Sequence, residues 1–280
     1  MHEREDGPGQ QPTADVTRPK PAPIMLAELS SPAFALAQPN LDLVMIPVGA
    51  HEQHGPALPV STDALTAQVL CALVGTILSP RVAVAPTIPW GVSWAHLGMP
   101  GTVSLHEETL ISIVEDVVTS LHGSGIQRFL VVNTHGGNNA ALQVAVERCH
   151  RHHQVPVVAS VDAYTFIAEA AAEVLSPEAV GHAGGDESAV VMAIRPDLVD
   201  DSMLGKRTTN TGIQDVQSIL RSARGTLPVA FRQVTASGAT GDSSGASIAA
   251  GSAIIGQATG RLRHVVQDLI ALDLASFGGG

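Results

Sequence analysis

The feature that most constrains this chain is its alternation of short apolar runs with longer helical patterns. Leu41 to Val48 (LDLVMIPV), Arg81 to Ile88 (RVAVAPTI), Arg128 to Asn133 (RFLVVN) and Val155 to Val161 (VPVVASV) read as strands that are apolar on both faces. Between and after them, Asp63 to Leu78, Glu107 to His122, Asn138 to His153 and Asp186 to Ile194 carry helical spacing, and Ile254 to Leu274 reads as a long closing helix. Thr62 or Asp63 is a plausible N-cap, and acidic residues open the 107–122 segment, where the helix dipole favours them. Strands covered on both faces and separated by helices of roughly 12–18 residues indicate an α/β fold with a mainly parallel sheet between helical layers.

With 280 residues, 45% of them hydrophobic, the chain can bury the core of one large domain. Aromatic residues are 3%, so that core is expected to be Ala, Val, Leu and Ile. Residues 1–23 are polar and rich in Pro and Gly, and are expected to be a disordered N-terminal tail ahead of a single domain over 24–280. Residues 200–246 are rich in Gly, Ser and Thr with little periodicity, which predicts an excursion or an oligomer-contact loop. A net charge of −11 argues against nucleic-acid or anionic-membrane surfaces as partners. Residues 1–23 lack the apolar stretch that a signal peptide needs, and no apolar run reaches the length of a membrane span. Cys71 and Cys149 lie in apolar helical stretches and read as core thiols, which fits a cytoplasmic protein without disulfides.

Four polar clusters stand out, and sites in such sheets lie beyond the carboxyl ends of the strands. In the first, Glu52 and His54 are two apart, a spacing that puts both side chains on one face of an extended chain. Gly55-Pro56 then turns the chain, and Asp63 arrives at the start of a helix. Two carboxylates and an imidazole suit Zn, Mn or Fe(II) better than Ca; the alternative is a solvated loop and a capping Asp. The second cluster, Asn133 to Asn139 (NTHGGNN), carries His135 out of a strand end, and its paired glycines let backbone approach a bound group. It lacks the spacing of a dinucleotide fingerprint, and the alternative is a turn with a capping His. The third, Gly181 to Ser188 (GHAGGDES), places His182, Asp186 and Glu187 ahead of an apolar helix, where the acids could equally be charges favoured by a helix N-terminus. In the fourth, Trp90, Trp94 and His96 could form a substrate wall or lid, or anchor an oligomer interface. With Asn138, these three are the candidate substrate contacts. His106, His122, His150, His152, His153 and His264 read as surface residues.

Taken together, VGAHEQHGPALPVSTD, GVSWAHLGMPGTVSL, VVNTHGGN, GHAGGDES and ATGDSSGAS resemble the creatininase (creatinine amidohydrolase) family, from about Met25 to the end of the last helix. The resemblance implies a three-layer α/β/α sandwich and a homo-oligomer, often a hexamer. It implies two divalent metal ions per subunit, Zn and/or Mn with Fe possible. Glu52, His54, Asp63 and His135 fall on ligand positions, with Asp63 as the bridging carboxylate. Creatininase proper has a Glu two residues after the third-strand His; this chain has Gly137 there, and Glu187 is the replacement ligand. His182 and Glu187 are the catalytic candidates, with His182 as acid/base. The implied reaction is attack of an activated water on a C–N bond of a small-molecule amide, a cyclic one such as creatinine, although other members deformylate a pyrimidine or trim a precursor peptide. Thr134, Ala57 and Ala95 depart from the usual Gly, His and Glu, so the contacts of creatinine itself are not reproduced. Two other classes compete: a nucleotide-binding enzyme using the loops at 136–139 and 241–245, indifferent to chelators, and a non-catalytic binding member.

Overall fold

The structure is a computed structural model that describes residues 22–206, 209–222 and 225–277. Among these residues, five strands form one parallel sheet: β1 (Ile24–Met25), β2 (Leu43–Val48), β3 (Val82–Val84), β4 (Arg128–Asn133) and β5 (Val157–Asp162), in the spatial order β1-β3-β2-β4-β5. The described helices are α1 (Ser31–Ala37), α2 (Thr62–Ile77), α3 (Glu107–Gly123), α4 (Asn139–His153), α5 (Tyr164–Val174), α6 (Gly185–Ile194), α7 (Thr211–Ser222), α8 (Phe231–Val234) and α9 (Ile248–Ala271).

The period-two geometry of a strand explains the layers. Leu43 and Met45 of β2 pack into one core with Leu70 of α2, Ile167 of α5, Val190 of α6 and Ile254 of α9. Val44, Ile46 and Val48 face the opposite core, with Leu110 of α3 and Leu142 of α4. Every residue of β2 is therefore buried, and each large aliphatic side chain so covered contributes about 1.5–3 kcal/mol. The result is an α/β/α sandwich, as expected. Cys71 and Cys149 are free thiols inside these two cores, and burial pushes Cys149 up to about 11.

Several boundaries differ from expectation. The second strand stops at Val84, because after Ala85 the chain is retained by a single bridge between Ile88 and Val48. Ser61, not Thr62 or Asp63, is the N-cap of α2. The Thr62 hydroxyl donates to the Pro59 carbonyl, and the Asp63 carboxylate is turned elsewhere. The excursion over 200–246 holds α7 and α8 rather than loop alone. Its periodicity is confined to the 12 residues of α7 and was diluted by the small residues on both sides. The last helix starts at Ile248, with the Ser247 hydroxyl as cap, because Gly251 and Gly256 do not interrupt it. The alanine-rich α5 had no distinct pattern. The tail assigned to residues 1–23 lies outside the described residues except for Ala22 and Pro23.

The chain leaves β2 for β3 on one side and later returns to β4 on the other, so the sheet order reverses between β2 and β4. Crevices for ligands form at such reversals. Here Val48 pairs with Asn133, so the loops beginning at Gly49 and Thr134 leave the sheet side by side.

Candidate active site

The loop after β2 is held extended by Glu52 N–H donating to Val60 O (3.0 Å) and Val103 N–H donating to His51 O (2.9 Å). The start of α2 then passes so close to Gly49 that a side chain at Gly49 would collide with Ala64 backbone. The Thr134 hydroxyl clamps the same turn by donating to Asp63 O (2.8 Å). These contacts bring Glu52, His54, Asp63 and His135 to one point. Glu187 joins them from the first turn of α6, where Ala183 N–H donates to its Oε2 (2.6 Å). Ala183 adopts a left-handed φ of 51° to do so, a conformation that costs a non-glycine residue about 1–3 kcal/mol. The later TGDSS segment supports this turn, with Thr240 N–H donating to His182 O and Asp242 N–H to Glu178 O (both 2.8 Å).

Asp63 divides its two oxygens. Oδ1 lies 3.3 Å from His54 Nε2, which in turn is 3.8 Å from Glu187 Oε2. Oδ2 lies 3.3 Å from His135 Nδ1, and Glu52 Oε2 is 3.4 Å from the same ring's Nε2. Two donor sets result, His54–Asp63–Glu187 and Glu52–Asp63–His135, each compact enough to hold one ion. Three buried atoms at this spot, Glu52 Oε2, His54 Nε2 and Asp63 Oδ2, have no hydrogen bond of good geometry among the described residues. Buried polar atoms normally find partners, and a cation would supply one to each. His54 Nδ1 lies 3.1 Å from Glu52 O, and His135 Nε2 lies 3.0 Å from Val92 O. Backbone acceptors of this kind orient an imidazole that offers its other nitrogen to a metal. The residues present therefore fit divalent ions of the Zn, Mn or Fe(II) type.

Charge in the metal-free site follows the same division. Burial opposes a proton on His54, yet Asp63, Glu187 and Glu52 outweigh it and lift its pKa to about 10. For His135, burial is again outweighed, by Glu52 and Asp63, and the value rises to about 9. Burial raises Glu52 and takes Glu187 up to about 8, whereas His54 and His135 overcome burial to hold Asp63 well below the usual carboxylate range. His96, by burial and then the charges of His135 and His54, falls to about 3, and His182 is likewise lowered well below its ordinary value. Without metal, protons on His54 and His135 balance the carboxylates. Because each imidazole holds its proton more tightly folded than at its ordinary 6.5, their contribution to stability is complete below about pH 6.5 and is lost as pH rises through 9–10. Metal must displace these protons. Chelator-treated protein is thus expected to lose thermal stability from pH 7 to 10 relative to metal-loaded protein. Zinc titrations in buffers of different ionisation enthalpy should register net proton release; equal heats in all buffers would contradict this arrangement.

The other expected residues fall around this centre. His182 Nδ1 is 3.7 Å and His96 Nε2 is 3.6 Å from Glu52 Oε1, so both imidazoles border the candidate donors. Trp90 and Trp94 are 44% and 46% exposed, and Trp90 stacks on His51 with ring centroids 5.6 Å apart. Asn138 departs from its expected role. It is fully buried, with Oδ1 accepting from Val92 N–H (2.8 Å) and Nδ2 donating to Gly49 O (2.9 Å) and Asn133 Oδ1 (3.0 Å). It ties three site loops together and leaves no amide hydrogen for a substrate. Asp186 instead accepts from the Tyr164 hydroxyl (2.7 Å) and Gly181 N–H (3.3 Å), bracing the turn. Gly137 admits no side chain, since a Cβ would collide with His135 Nε2 and Val92 O. Sequence reasoning missed Phe231, whose ring stacks on His96 (4.3 Å) and meets His182 edge-on (4.7 Å). The available signal was its rarity, as one of five Phe in an aromatic-poor chain.

The family model described as Creatininase: Creatinine amidohydrolase matches residues 27–266. The chain is 34% identical over 174 residues to a mycofactocin precursor peptide peptidase of Mycolicibacterium smegmatis, covering 58% of this chain and 63% of that one. It is 28% identical over 174 residues to a creatinine amidohydrolase of Pseudomonas putida, covering 56% and 66%. The chain thus spans somewhat less than two thirds of the length of each. A crystal structure of creatinine amidohydrolase superposes with a TM-score of 0.76 at 22% identity, over 90% of this chain and 99% of that one. Manganese and zinc–zinc forms of creatininase superpose at 0.73 and 0.72. These structural likenesses establish the fold.

Proposed function

Since the chain belongs to the creatininase family, we propose that it is a metal-dependent amidohydrolase that cleaves the C–N bond of a small-molecule amide, a cyclic amide of the creatinine kind being the leading class. The observation that carries this reading is the pair of donor sets sharing Asp63, with three orphaned polar atoms between them. Glu52, Asp63 and His135 would hold one divalent ion, and His54, Asp63 and Glu187 a second; zinc and manganese are the leading candidates because creatininases of this fold have been solved with them. Ions bound there supply the Lewis acidity that activates water and polarises an amide carbonyl.

The chain's own residues supply the rest. His182, neutral and bordering Glu52, is placed to take a proton at Nδ1 and pass it to the departing nitrogen, which is a poor leaving group unless protonated. Ala183 N–H keeps the Glu187 carboxylate pointed inward. Phe231 lies over His96 and His182 and limits what can approach them. Trp90 and Trp94 offer apolar area beside that approach. Phe231→Ala is expected to keep its metal, to lose on the order of ten-fold in kcat/KM for a small amide, and to gain on bulkier ones. Unchanged selectivity across a size series would remove Phe231 from the substrate path.

Metal content per subunit, measured by plasma mass spectrometry on protein purified without chelator or metal-binding tag, tests the centre. About two equivalents are expected, and no uptake on adding Zn or Mn would overturn the reading. Cyclic amides, formamides and short peptides should then be compared as substrates. One observation favours a second reading, cleavage of a precursor peptide: the peptidase relative is 34% identical, against 28% for the creatinine amidohydrolase. Against it, the candidate donors are almost wholly covered, with Phe231 over the neighbouring imidazoles, which suits a compact substrate. We also expect a homo-oligomer, a hexamer on family grounds, readable by light scattering. A cytoplasmic setting fits the two free thiols, and no described helix is long and apolar enough to cross a membrane.

A further inference from the structure

Gln53 stands between two candidate ligands in the chain, yet its side chain is committed to the two imidazoles that are not in the shared-Asp63 sets. It is 6% exposed, and its backbone N–H donates to Thr102 Oγ1 (3.1 Å). Its Oε1 accepts from Gly55 N–H (3.0 Å), which settles which end of the amide is oxygen and which is nitrogen. Gly238 of the excursion leaves room for this side chain, because a Cβ at that position would collide with the amide. The NH2 group is therefore the end that lies 2.8 Å from His96 Nδ1 and 3.0 Å from His182 Nε2. An amide NH2 donates and does not accept. His96 Nδ1 must then be bare, and the His96 proton sits on Nε2, the nitrogen 3.6 Å from Glu52 Oε1. His182 Nε2 lies 2.9 Å from the main-chain carbonyl of Gln53 as well. That nitrogen can serve only one of the two contacts, and an Nε2–H donating to the carbonyl is the form that leaves Nδ1 bare to take a proton, so the Gln53 amide is left to His96.

We propose that Gln53 is a positioning residue of the reaction, whose side-chain amide fixes His96 as an Nε2–H donor directed at Glu52 and whose main-chain carbonyl holds the ring of His182 by accepting from its Nε2–H. As a role in turnover this rests on the amidohydrolase reading; the tautomer it imposes does not. Long-range proton–nitrogen NMR of the histidine side chains in the zinc-loaded protein reads that tautomer directly, with signals assigned by their loss in His96→Asn and His182→Asn. His96 is expected to show an unprotonated Nδ1 and a protonated Nε2. Gln53→Glu keeps the acceptor for Gly55 N–H but turns the donor into a second acceptor, so the His96 proton is expected to move to Nδ1. Gln53→Met removes both and is expected to leave His96 distributed over the two tautomers. On any amide the screen identifies, both variants should lose on the order of 10–100-fold in kcat, with a much smaller change in KM. A His96 protonated on Nδ1 in the parent protein, or a tautomer unmoved by Gln53→Glu and Gln53→Met, would overturn the proposal. If no amide is cleaved, the functional reading fails while the NMR result still decides the tautomer.

Discussion

Asp63→Asn is expected to empty both halves of the candidate metal centre at once. Asp63 is the one side chain common to both donor sets, with Oδ1 turned to His54 and Oδ2 to His135 at 3.3 Å each. An amide keeps the shape but loses the charge, and one of its two ends becomes a donor that faces a cation. Metal content should fall from about two equivalents to well below one, with turnover near background. By contrast, His54→Ala removes a donor from only one of the two sets that share Asp63 and should leave about one ion bound. Fold loss is a separate matter, because α2 is capped at Ser61 and Asp63 is not its N-cap. Circular dichroism should therefore be native-like while the metal is gone. An Asp63→Asn protein that retained both ions and full activity would remove Asp63 from the centre.

The second large effect belongs to His182→Ala. This variant is expected to keep its metal and to lose roughly 10²–10⁴-fold in turnover, the range for a general acid–base group. The distinction from a ligand role is sharp, because Glu52, His54 and His182 also lie close enough together to hold an ion. Loss of one equivalent of metal in His182→Ala would make His182 a ligand and transfer the proton-carrying role elsewhere. His96 is the neighbouring alternative, with its ring 4.7 Å from that of His182.

Most of the sheet was legible in the sequence because its strands are buried on both faces, as the uninterrupted apolar run of β2 shows. The convergence of Glu52, His54 and His135 was legible for a related reason, since each leaves the end of a strand at the point where the sheet order reverses. Three kinds of information were not legible. The edge strand β1 is two residues long and carries no periodicity to read. Asn138 looked like a substrate contact because polar residues after a strand often are, but its partners Gly49 and Val92 come from loops 46 and more residues away. Phe231 reaches the site by tertiary folding of a segment whose composition resembles a linker, and no local pattern announces its contact with His96.

The placement of these groups also separates two design problems. The candidate donors stand on the roots of the central strands and on the first turns of α2 and α6, where the cores pin the backbone. Trp90, Trp94 and Phe231 stand on connecting segments that enter from other directions and hold none of those donors. Under the proposed function, substitutions in the connecting segments are expected to change which molecule is admitted while the candidate donors keep their positions. A scaffold divided in this way is suited to diversification, because its connecting segments can be rewritten one at a time without rebuilding the candidate donor frame.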